Sequence, residues 1–425
     1  MRIVNKKIKG GALQFVLFIG AVIAILLLTF ISLTYSHRFF QKRGGFVLTA
    51  VGQANNGINY LLHNDIPIKD SVALRIGDDS EEIIGNSLTA YRKYWGLFEL
   101  FTVHSVFHHQ EFTKVALTGG YYKEENRYSL YLCENNRPLV VVENAELHGK
   151  LLLPKEGVRP GNMGGKSFTG ILPSQNNIGQ SNSQLPEILT PITENIKLWL
   201  QGKFDSTMEQ ISMNDPLDLK ISFKKNTKLL YSYTSLSLAE GNLVGNIIVY
   251  SSSRVYIGKS MKIKDVIIIA PEIEIEKGFQ GSLQAIASKE IIVNDKVSLK
   301  YPSSLVLYNK NMSYPNAAIA IGDHALIQGA VVYWDDNREG KQFFNSQIKI
   351  KEGAIVEGEV YCARGVELLG KVKGSVTTSY FIVNKFGAVY QNHIYGGKIN
   401  IELLHENYAG MLYQGNDKRV MKWLY

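Results

Sequence analysis

The longest apolar segment of the chain lies near its N-terminus. The run from Ala12 to Leu33 holds 22 residues and no charge, and a helix of that length crosses the roughly 30 Å hydrocarbon core of a bilayer. A cleavable export signal has a shorter apolar region, about 7–15 residues, followed by a small-x-small cleavage site. The residues after Leu33, "TYSHR", contain no convincing site of that kind. We therefore predict a transmembrane helix over residues 12–33 that stays in the mature protein.

Helical spacing of apolar side chains continues beyond this run. In residues 46–62, "FVLTAVGQANNGINYLL", apolar side chains recur at helical intervals. We predict a stem helix over residues 34–66 with a bend at Gly44-Gly45. It should stop near Ile66-Pro67, because the residue before a proline is disfavoured in the helical conformation.

Further along the chain, the sequence pattern becomes typical of β-strands. Short β-branched and aromatic runs such as "ELFTVHSVF" and "PLVVVE" are separated by turn residues, which predicts a β-rich, hairpin-rich region over residues 67–171. Within it, the segment from Cys133 to Pro138 is predicted to be a hairpin turn. Residues 172–240 are predicted to be a linker, because Leu172 to Pro186 is polar and poor in core-forming residues. A helical segment is expected in that linker at residues 187–211.

An irregular repeat over residues 241–380 carries most of the fold prediction. Segments such as "VIIIAPEIEIEK" follow the order strand, small-residue corner, strand, and "LIQGAVVY" and "IVEGEVYC" share an apolar-x-Gly-x-apolar pattern. Recurring short strands with Gly or Ser corners favour a β-solenoid, although a β-sandwich would have similar strand content. Residues 381–425 are expected to cap one end. The predicted fold class is mainly β: an N-terminal transmembrane helix, a hairpin-rich region and a β-solenoid (β-helix).

The positive charge of the chain is concentrated around the predicted anchor. The formal net charge is +8, and residues 1–43 contain seven basic residues and no acidic one, which leaves +1 for residues 44–425. The basic residues therefore belong to the membrane segment, so we predict membrane lipid as a partner and exclude nucleic acid. Four of the seven precede the apolar run and three follow it. The excess of Lys and Arg that normally marks the cytoplasmic side is therefore small and gives weak evidence for the orientation of the helix. We favour a single-pass protein of the inner (cytoplasmic) membrane with its large domain periplasmic or extracellular, since a lone N-terminal anchor commonly exports such a domain.

Candidate metal and redox residues are few. The segment "FTVHSVFHHQEF" holds His104, His108, His109 and Glu111. Its β-branched and aromatic neighbours favour a strand, in which His104 and His108 would lie about 13 Å apart, too far to share one ion. We predict no metal site, and in the absence of a P-loop, dinucleotide fingerprint or paired CxxC motif we predict no cofactor. The two cysteines, Cys133 and Cys362, could form one disulfide or remain two buried thiols.

The strongest candidate for chemistry is Trp334-Asp335-Asp336. These residues begin a predicted loop, "YWDDNREGKQFFNS", that interrupts the repeats, and loops carry function more often than the elements they connect. An aromatic side chain beside two acids suits glycan contact or glycan cleavage. Because no second catalytic group is placed beside them by the sequence, we assign no catalytic residue and keep the three as candidate glycan contacts.

The N-terminus also resembles a known family. A short basic leader, Met1 to Gly11, ends in Gly10-Gly11 and runs directly into the apolar helix, as in the prepilin-type leader of type IV pilins and type II secretion pseudopilins. The resemblance implies cleavage between Gly11 and Ala12 by a membrane peptidase. Most members carry Glu as the fifth residue after the cut, whereas this chain has Val16. Absence of that Glu is typical of minor subunits at the fibre tip, the K-type pseudopilins and similar minor pilins.

A second resemblance concerns the repeats. The stretch "IKEGAIVEGEVYCARGVELLGKVKGSV" is similar to the short-rung β-helix of bactofilins, which are polymer-forming scaffold proteins. Bactofilins are smaller and polymerise through exposed ends of the β-helix. The segments that flank the repeats here could block such ends, which puts filament formation by this region in doubt.

These observations lead to two functional hypotheses. The first is a non-enzymatic single-pass envelope protein with an assembly or scaffold role and protein partners in the envelope. Its N-terminus is either that of a minor pilin-like subunit of a secretion or pilus machine or a plain signal anchor. In it, Gly20 and Ala24 would form a small-xxx-small contact face in the membrane. The alternative is a membrane-tethered β-helix protein that binds or cleaves cell-surface glycans through Trp334, Asp335 and Asp336.

Overall fold

The computed structural model describes residues 11–68, 71–74, 86–123, 126–211, 217–336 and 345–424. The chain is mainly β, with one long apolar N-terminal helix. The helices are α1 (Gly11–His63) and α2 (Thr190–Leu200). The strands of the first part are β1 (Ser71–Ala73), β2 (Ser87–Trp95), β3 (Phe98–Phe107), β4 (Gln110–Tyr121), β5 (Leu130–Leu132), β6 (Leu139–Val142), β7 (Glu146–His148), β8 (Leu151–Leu153), β9 (Val158–Pro160), β10 (Asn162–Met163), β11 (Lys166–Ser167), β12 (Ile178–Gln180), β13 (Glu209–Ile211) and β14 (Asp218–Ile221). Those of the second part are β15 (Lys228–Ser232), β16 (Leu236–Gly245), β17 (Ile247–Ser251), β18 (Arg254–Ile275), β19 (Gln280–Val293), β20 (Ser298–Asn309), β21 (Ala318–Ile321), β22 (Leu326–Asp335), β23 (Ile348–Ile350), β24 (Ile355–Leu368), β25 (Lys371–Lys385), β26 (Ala388–Gln391), β27 (His393–Tyr395), β28 (Lys398–Asn400) and β29 (Asp417–Leu424).

Two compact units make up the chain. The first unit comprises Met1–Gly57, Ala73–Ala90 and Val103–Thr113. The second unit comprises Ile58–Val72, Tyr91–Thr102 and Lys114–Tyr425.

Helix α1 runs through both of the helical segments predicted from the sequence. Its residues from 11 to 45 are all exposed, and it is long and apolar enough to cross a membrane. It ends at His63, just before Ile66-Pro67, as the restriction on residues that precede proline requires.

In the first unit, the later turns of α1 pack against strand β3. Ala50 and Ala54 are fully buried, and Ser105 Oγ donates a hydrogen bond of 3.0 Å to Gln53 Oε1. A Cβ atom at Gly57 would lie 2.7 Å from Val103 Cγ1. Helix and strand therefore approach closely at Gly57, where a side chain would not fit.

A five-stranded sheet has the order β1-β2-β3-β4-β29. His108 and His109 form the two-residue connection between β3 and β4, and their φ angles of 45° and 63° suit a hairpin turn in which both central residues have positive φ. Strand β29 pairs antiparallel with β4 in a register that aligns Gly119 with Arg419. The polypeptide between β4 and β29 is thus an insertion within this sheet.

Most strands of that insertion pair in parallel, and their pairings close on themselves. One column of register partners crosses the parallel strands from each strand to the next. Most of its residues have buried, apolar side chains. The column runs Ile211, Leu230, Val249, Ile268, Ala285, Leu305, Val331, Val360, Val376, Leu130, Leu151 and Ile178. The neighbouring residues along each strand point to the opposite face. The side chains of the column therefore share one face and pack together as a core.

The column includes segments that the sequence assigned to other regions. Cys133 to Pro138 is not a hairpin turn, because β5 and β6 do not pair with each other. Strand β5 pairs in parallel with β25 and β8, and β6 pairs in parallel with β27 and β9. The run "PLVVVE", which contains β6, does indicate a strand. The sequence does not indicate how β5 and β6 pair, because their partners β25 and β27 lie more than 200 residues away in the chain.

Two further boundaries differ from the predicted ones. The predicted linker contains β12 to β15 and the start of β16, and its helix α2 is shorter than residues 187–211. In the predicted C-terminal cap, β27 and β28 belong to the parallel pairings, whereas β29 belongs to the five-stranded sheet. The apolar side chains of these segments bury against neighbours distant in sequence, which local patterns do not indicate.

Gly329, Gly358 and Gly374 explain the apolar-x-Gly-x-apolar pattern. They are register partners on β22, β24 and β25, and their φ angles are 144°, 148° and 153°. A Cβ atom on Gly358 would lie 2.0 Å from Gly329 O, and one on Gly374 would lie 1.8 Å from Gly358 O. Only glycine satisfies both the backbone conformation and the close approach of neighbouring strands.

Candidate functional site

Helix α2 forms one wall of the candidate site. Pro191 lies in its first turn, where the missing N–H costs no hydrogen bond. Ile192, Ile196 and Trp199 are buried on one face of the helix and belong to the same apolar cluster as Ile248 and Ile267 of the parallel strands. This packing leaves Thr193, Glu194 and Lys197 on the side that faces the site.

The site is a cleft of about 680 Å³. Its floor crosses four neighbouring strands. On each strand, one residue belongs to a row of register partners, and the residue directly after it lines the cleft. The partners are Tyr333, Cys362, Thr378 and Leu132, and the lining residues are Trp334, Ala363, Ser379 and Cys133. Parallel strands are about 4.8 Å apart, so the floor is about 14 Å long.

All three residues that the sequence singled out line this cleft, together with partners that it did not indicate. Trp334 and Asp335 end strand β22 and Asp336 follows it. The remainder of the predicted loop, residues 337–344, lies outside the described residues. Arg364 and Lys197 were missed, because lone basic residues on another strand and on a helix carry no local signal.

Asp335 is held in a buried ion pair. Its carboxylate oxygens accept hydrogen bonds of 2.8 and 2.9 Å from Arg364 Nε and Nη2, and the two side chains are 2% and 8% exposed. The hydrogen bonds that Arg364 donates to this carboxylate are the main cause of a raised pKa for Arg364. Two parallel hydrogen bonds fix the carboxylate in place.

Asp336 belongs to a second charged group at the rim. Lys197 Nζ lies 3.0 Å from Asp336 Oδ1 and 3.0 Å from Glu194 Oε1, and Tyr308 donates a hydrogen bond to Asp336. Burial opposes ionisation of Asp336, but the hydrogen bonds from Tyr308 and Lys197 outweigh it and lower the pKa of the carboxyl group. Asp336 is therefore a charged, hydrogen-bonded carboxylate and not a proton donor.

Trp334 is 8% exposed, and its ring packs against Tyr308 with 5.4 Å between ring centroids. Its indole Nε1 is buried and has no hydrogen-bond partner among the residues that the structure describes. A buried donor without a partner costs free energy, which makes this position notable in a cleft wall.

Asp335 and Asp336 both lie in ion pairs. Acid–base catalysis needs a carboxyl group that can exchange a proton at the substrate, and the two adjacent acids are both held by cations. Within the described ranges, His, Cys, Asp and Glu side chains form no group of three or more that could hold a metal ion.

The two cysteines are free thiols and form no disulfide. Cys362 aligns with Thr378, which aligns with Leu132. Cys133 is therefore two strands away from Cys362 and one residue further along, so the two side chains lie on opposite faces. Burial raises the pKa of Cys133 to about 11 and that of Cys362 further still, which keeps both thiols protonated at neutral pH.

The histidines have local structural roles in the first unit. His104 Nδ1 lies 2.9 Å from Thr113 Oγ1. His108 and His109 form the β3–β4 turn, and Phe46 of α1 stacks on His108 with 4.6 Å between ring centroids.

The residues of the prepilin-type resemblance lie at the start of α1. Gly11 and Ala12 are exposed within the first turn, and Val16 is 65% exposed. The leader before Gly11 lies outside the described residues.

A buried carboxyl group that the sequence did not indicate lies elsewhere in the second unit. Glu359, on β24, accepts a hydrogen bond of 2.7 Å from the backbone N–H of Met411. It borders a cavity of about 30 Å³ together with Tyr128, Tyr408 and Tyr413. Burial raises the pKa of Glu359 to about 7, against weaker opposing effects of the Met411 N–H and of Arg127.

Comparison of the chain with protein-family models, with curated proteins and with solved structures finds no match in any of the three.

Proposed function

We propose that the chain is a non-enzymatic, membrane-anchored assembly subunit of the cell envelope, a minor pilin-like component of a secretion or pilus machine. The observation that carries this proposal is that helix α1 has an exposed apolar part and a buried part. Residues 11–45 are exposed and largely apolar, whereas Ala50 and Ala54 of the same helix are buried in the first unit. Such a helix holds a folded domain at one end and leaves the other end for lipid or for the helices of neighbouring subunits.

The parallel strands are proposed to form a β-solenoid. Support comes from the column of register partners, in which consecutive members along most of the chain are 16 to 29 residues apart, and from the aligned glycines. Repetition of this kind gives each coil contacts with its two neighbours and produces an extended surface. An extended, rigid surface suits a scaffold or assembly role.

The proposed location is the inner membrane, crossed once, with the second unit on the periplasmic or extracellular side. One apolar helix long enough to cross a bilayer supports the anchor. The exposed Val16 suits a tip subunit, since a carboxylate at that position would be costly in hydrocarbon unless another group paired with it. Glycan cleavage is not favoured, because Asp335 and Asp336 are held by Arg364 and Lys197.

Assembly through α1 is tested by enlarging its small residues. A Cβ atom at Gly20 meets nothing within 4 Å, so Gly20→Leu with Ala24→Leu leaves the fold of the single chain intact while filling a helix–helix contact face. We expect the double variant to run as a smaller species than the wild type in native gels of membranes from the source cells. Val22→Leu, on another face of α1, is the control and should leave the size unchanged. A wild type that runs as a single chain, or a double variant of unchanged size, would contradict the proposal.

A further inference from the structure

The described lining of the cleft beside α2 has an excess of negative charge. It contains five carboxylates and two cations, a net charge of −3. The carboxylates are Glu134, Glu187, Glu194, Asp335 and Asp336, and the cations are Lys197 and Arg364. Both cations already form ion pairs with cleft carboxylates. An anionic ligand would therefore meet net repulsion from the described lining.

The rest of the lining is rich in side-chain hydrogen-bonding groups. Hydroxyls come from Ser183, Thr190, Thr193 and Ser379, and amides come from Asn135, Gln184 and Gln391. Carboxylates, amides and hydroxyls together offer both donors and acceptors. The floor crosses strands that already pair on both sides, so it offers no free strand edge for an extended peptide.

Aromatic side chains complete the cleft. Trp334, Tyr361 and Tyr380 line it, and the Trp334 indole N–H lacks a partner among the described residues. Rings beside hydrogen-bonding groups suit a ligand that has both C–H faces and many hydroxyls. The length of the floor, about 14 Å across four strands, suits a chain of several linked units and exceeds the span of a single sugar ring.

We propose that this cleft binds a short oligosaccharide chain that carries no negative charge and is recognised best when it bears free amines. Hydroxyls bond to the amides, hydroxyls and carboxylates of the lining, and ammonium groups are attracted by the net negative charge of the described lining. This inference stands independently of assembly through α1, because every residue that carries it lies in the second unit.

Titration calorimetry of the full chain in detergent tests the ligand class. The probes are a glucosamine tetramer, an N-acetylglucosamine tetramer, a galacturonic acid tetramer and a lysine tetrapeptide. We expect the glucosamine tetramer to bind most tightly, the N-acetylglucosamine tetramer about tenfold more weakly, and the galacturonic acid tetramer not at all. Failure of both amino-sugar tetramers to bind, or equal binding of the galacturonic acid tetramer, would overturn the proposal. A lysine tetrapeptide that binds as tightly as the glucosamine tetramer would also overturn it, because the site would then accept a basic peptide.

Matched variants locate the binding. Trp334→Phe removes the indole N–H and keeps an aromatic ring, and Glu194→Gln removes a carboxylate that is 59% exposed. Each should weaken binding of the glucosamine tetramer about tenfold, because each removes one hydrogen bond or ion pair. Trp423→Phe on β29 and Glu240→Gln on β16 are controls outside the cleft and should bind as the wild type does. If Glu194→Gln also binds as the wild type does, the assignment to this cleft is wrong.

Discussion

Glu359 illustrates how a single buried residue couples the parallel strands to the C-terminal segment. Its carboxylate accepts the Met411 N–H, and a Cβ atom at Gly410 would lie 2.4 Å from Glu359 Oε2. Tyr408 and Tyr413 enclose the same cavity, and Arg127 is the cation that faces it. The C-terminal segment is thus held against β24 by a group whose charge changes near neutral pH.

Replacement of Glu359 by Gln should make the fold less sensitive to pH. Burial raises the pKa of Glu359 from its ordinary value of 4.5 to about 7, so the folded chain retains the proton where the unfolded chain releases it. The resulting stabilisation is complete below pH 4.5 and is lost as the pH rises through 7. As the pH rises from 4 to 8, we expect the free energy of unfolding of the wild type to fall by about 3 kcal/mol relative to that of Glu359→Gln.

Chemical denaturation of both proteins across this pH range measures the difference. The exposed Glu240→Gln is the control, for which no pH-dependent gain is expected. An equal pH dependence in the wild type and Glu359→Gln would show that the Glu359 carboxyl is not the titrating group.

Asp335 and Arg364 form a buried charged pair with a clear consequence at the residue scale. Asp335→Asn leaves the Arg364 guanidinium in the protein interior without its carboxylate, which should cost about 3–5 kcal/mol of stability. The double variant Asp335→Asn, Arg364→Met should recover at least about 2 kcal/mol of that loss, since it removes the buried charge as well. Thermal and urea unfolding provide the measurement, with Asp417→Asn, which is 65% exposed, as a near-neutral control. A single variant as stable as the wild type would mean that the pair is hydrated and not buried.

At the scale of elements, the aligned glycines are the best link between the sequence pattern and the parallel strands. Gly358→Ala would bring a Cβ atom to 2.0 Å from the carbonyl oxygen of Gly329, and its φ of 148° is unfavourable for alanine. We expect a loss of more than about 3 kcal/mol in the free energy of unfolding.

Gly157→Ala is a matched control for this substitution. Gly157 has a φ of 66°, and a Cβ atom there meets nothing within 4 Å, so the control measures the backbone term alone, about 1–2 kcal/mol. A loss at Gly358 no larger than that at Gly157 would show that the neighbouring strands do not approach as closely as described.

The elements differ in how far the sequence indicates them. Helix α1 is predictable because a long apolar run and a helical periodicity are local signals, and β22, β24 and β25 carry glycines at one position of the repeat. The pairings of β5, β8 and β12 are not predictable, since these strands have three residues each and β5 pairs with β25, far along the chain. The same holds for the site: Trp334 and Asp335 stand out in sequence, whereas Arg364 becomes a partner only through the parallel register.

At the scale of the whole molecule, one chain combines a membrane-type helix, a five-stranded sheet and the parallel strands inserted between β4 and β29. The inserted segment contains both the cleft and Glu359. It begins and ends at neighbouring strands of one sheet. In the proposed function, one part of the chain assembles in the membrane and the other contacts a partner or ligand.

The N-terminus of the protein isolated from its native membrane tests the central claim most directly. Intact mass and N-terminal sequencing should find that the chain begins at Ala12, with or without an N-methyl group, and that Gly11→Val, which alters the residue before the cut, retains Met1. A wild-type chain that still begins at Met1 would contradict the pilin-like account and identify α1 as an ordinary membrane anchor.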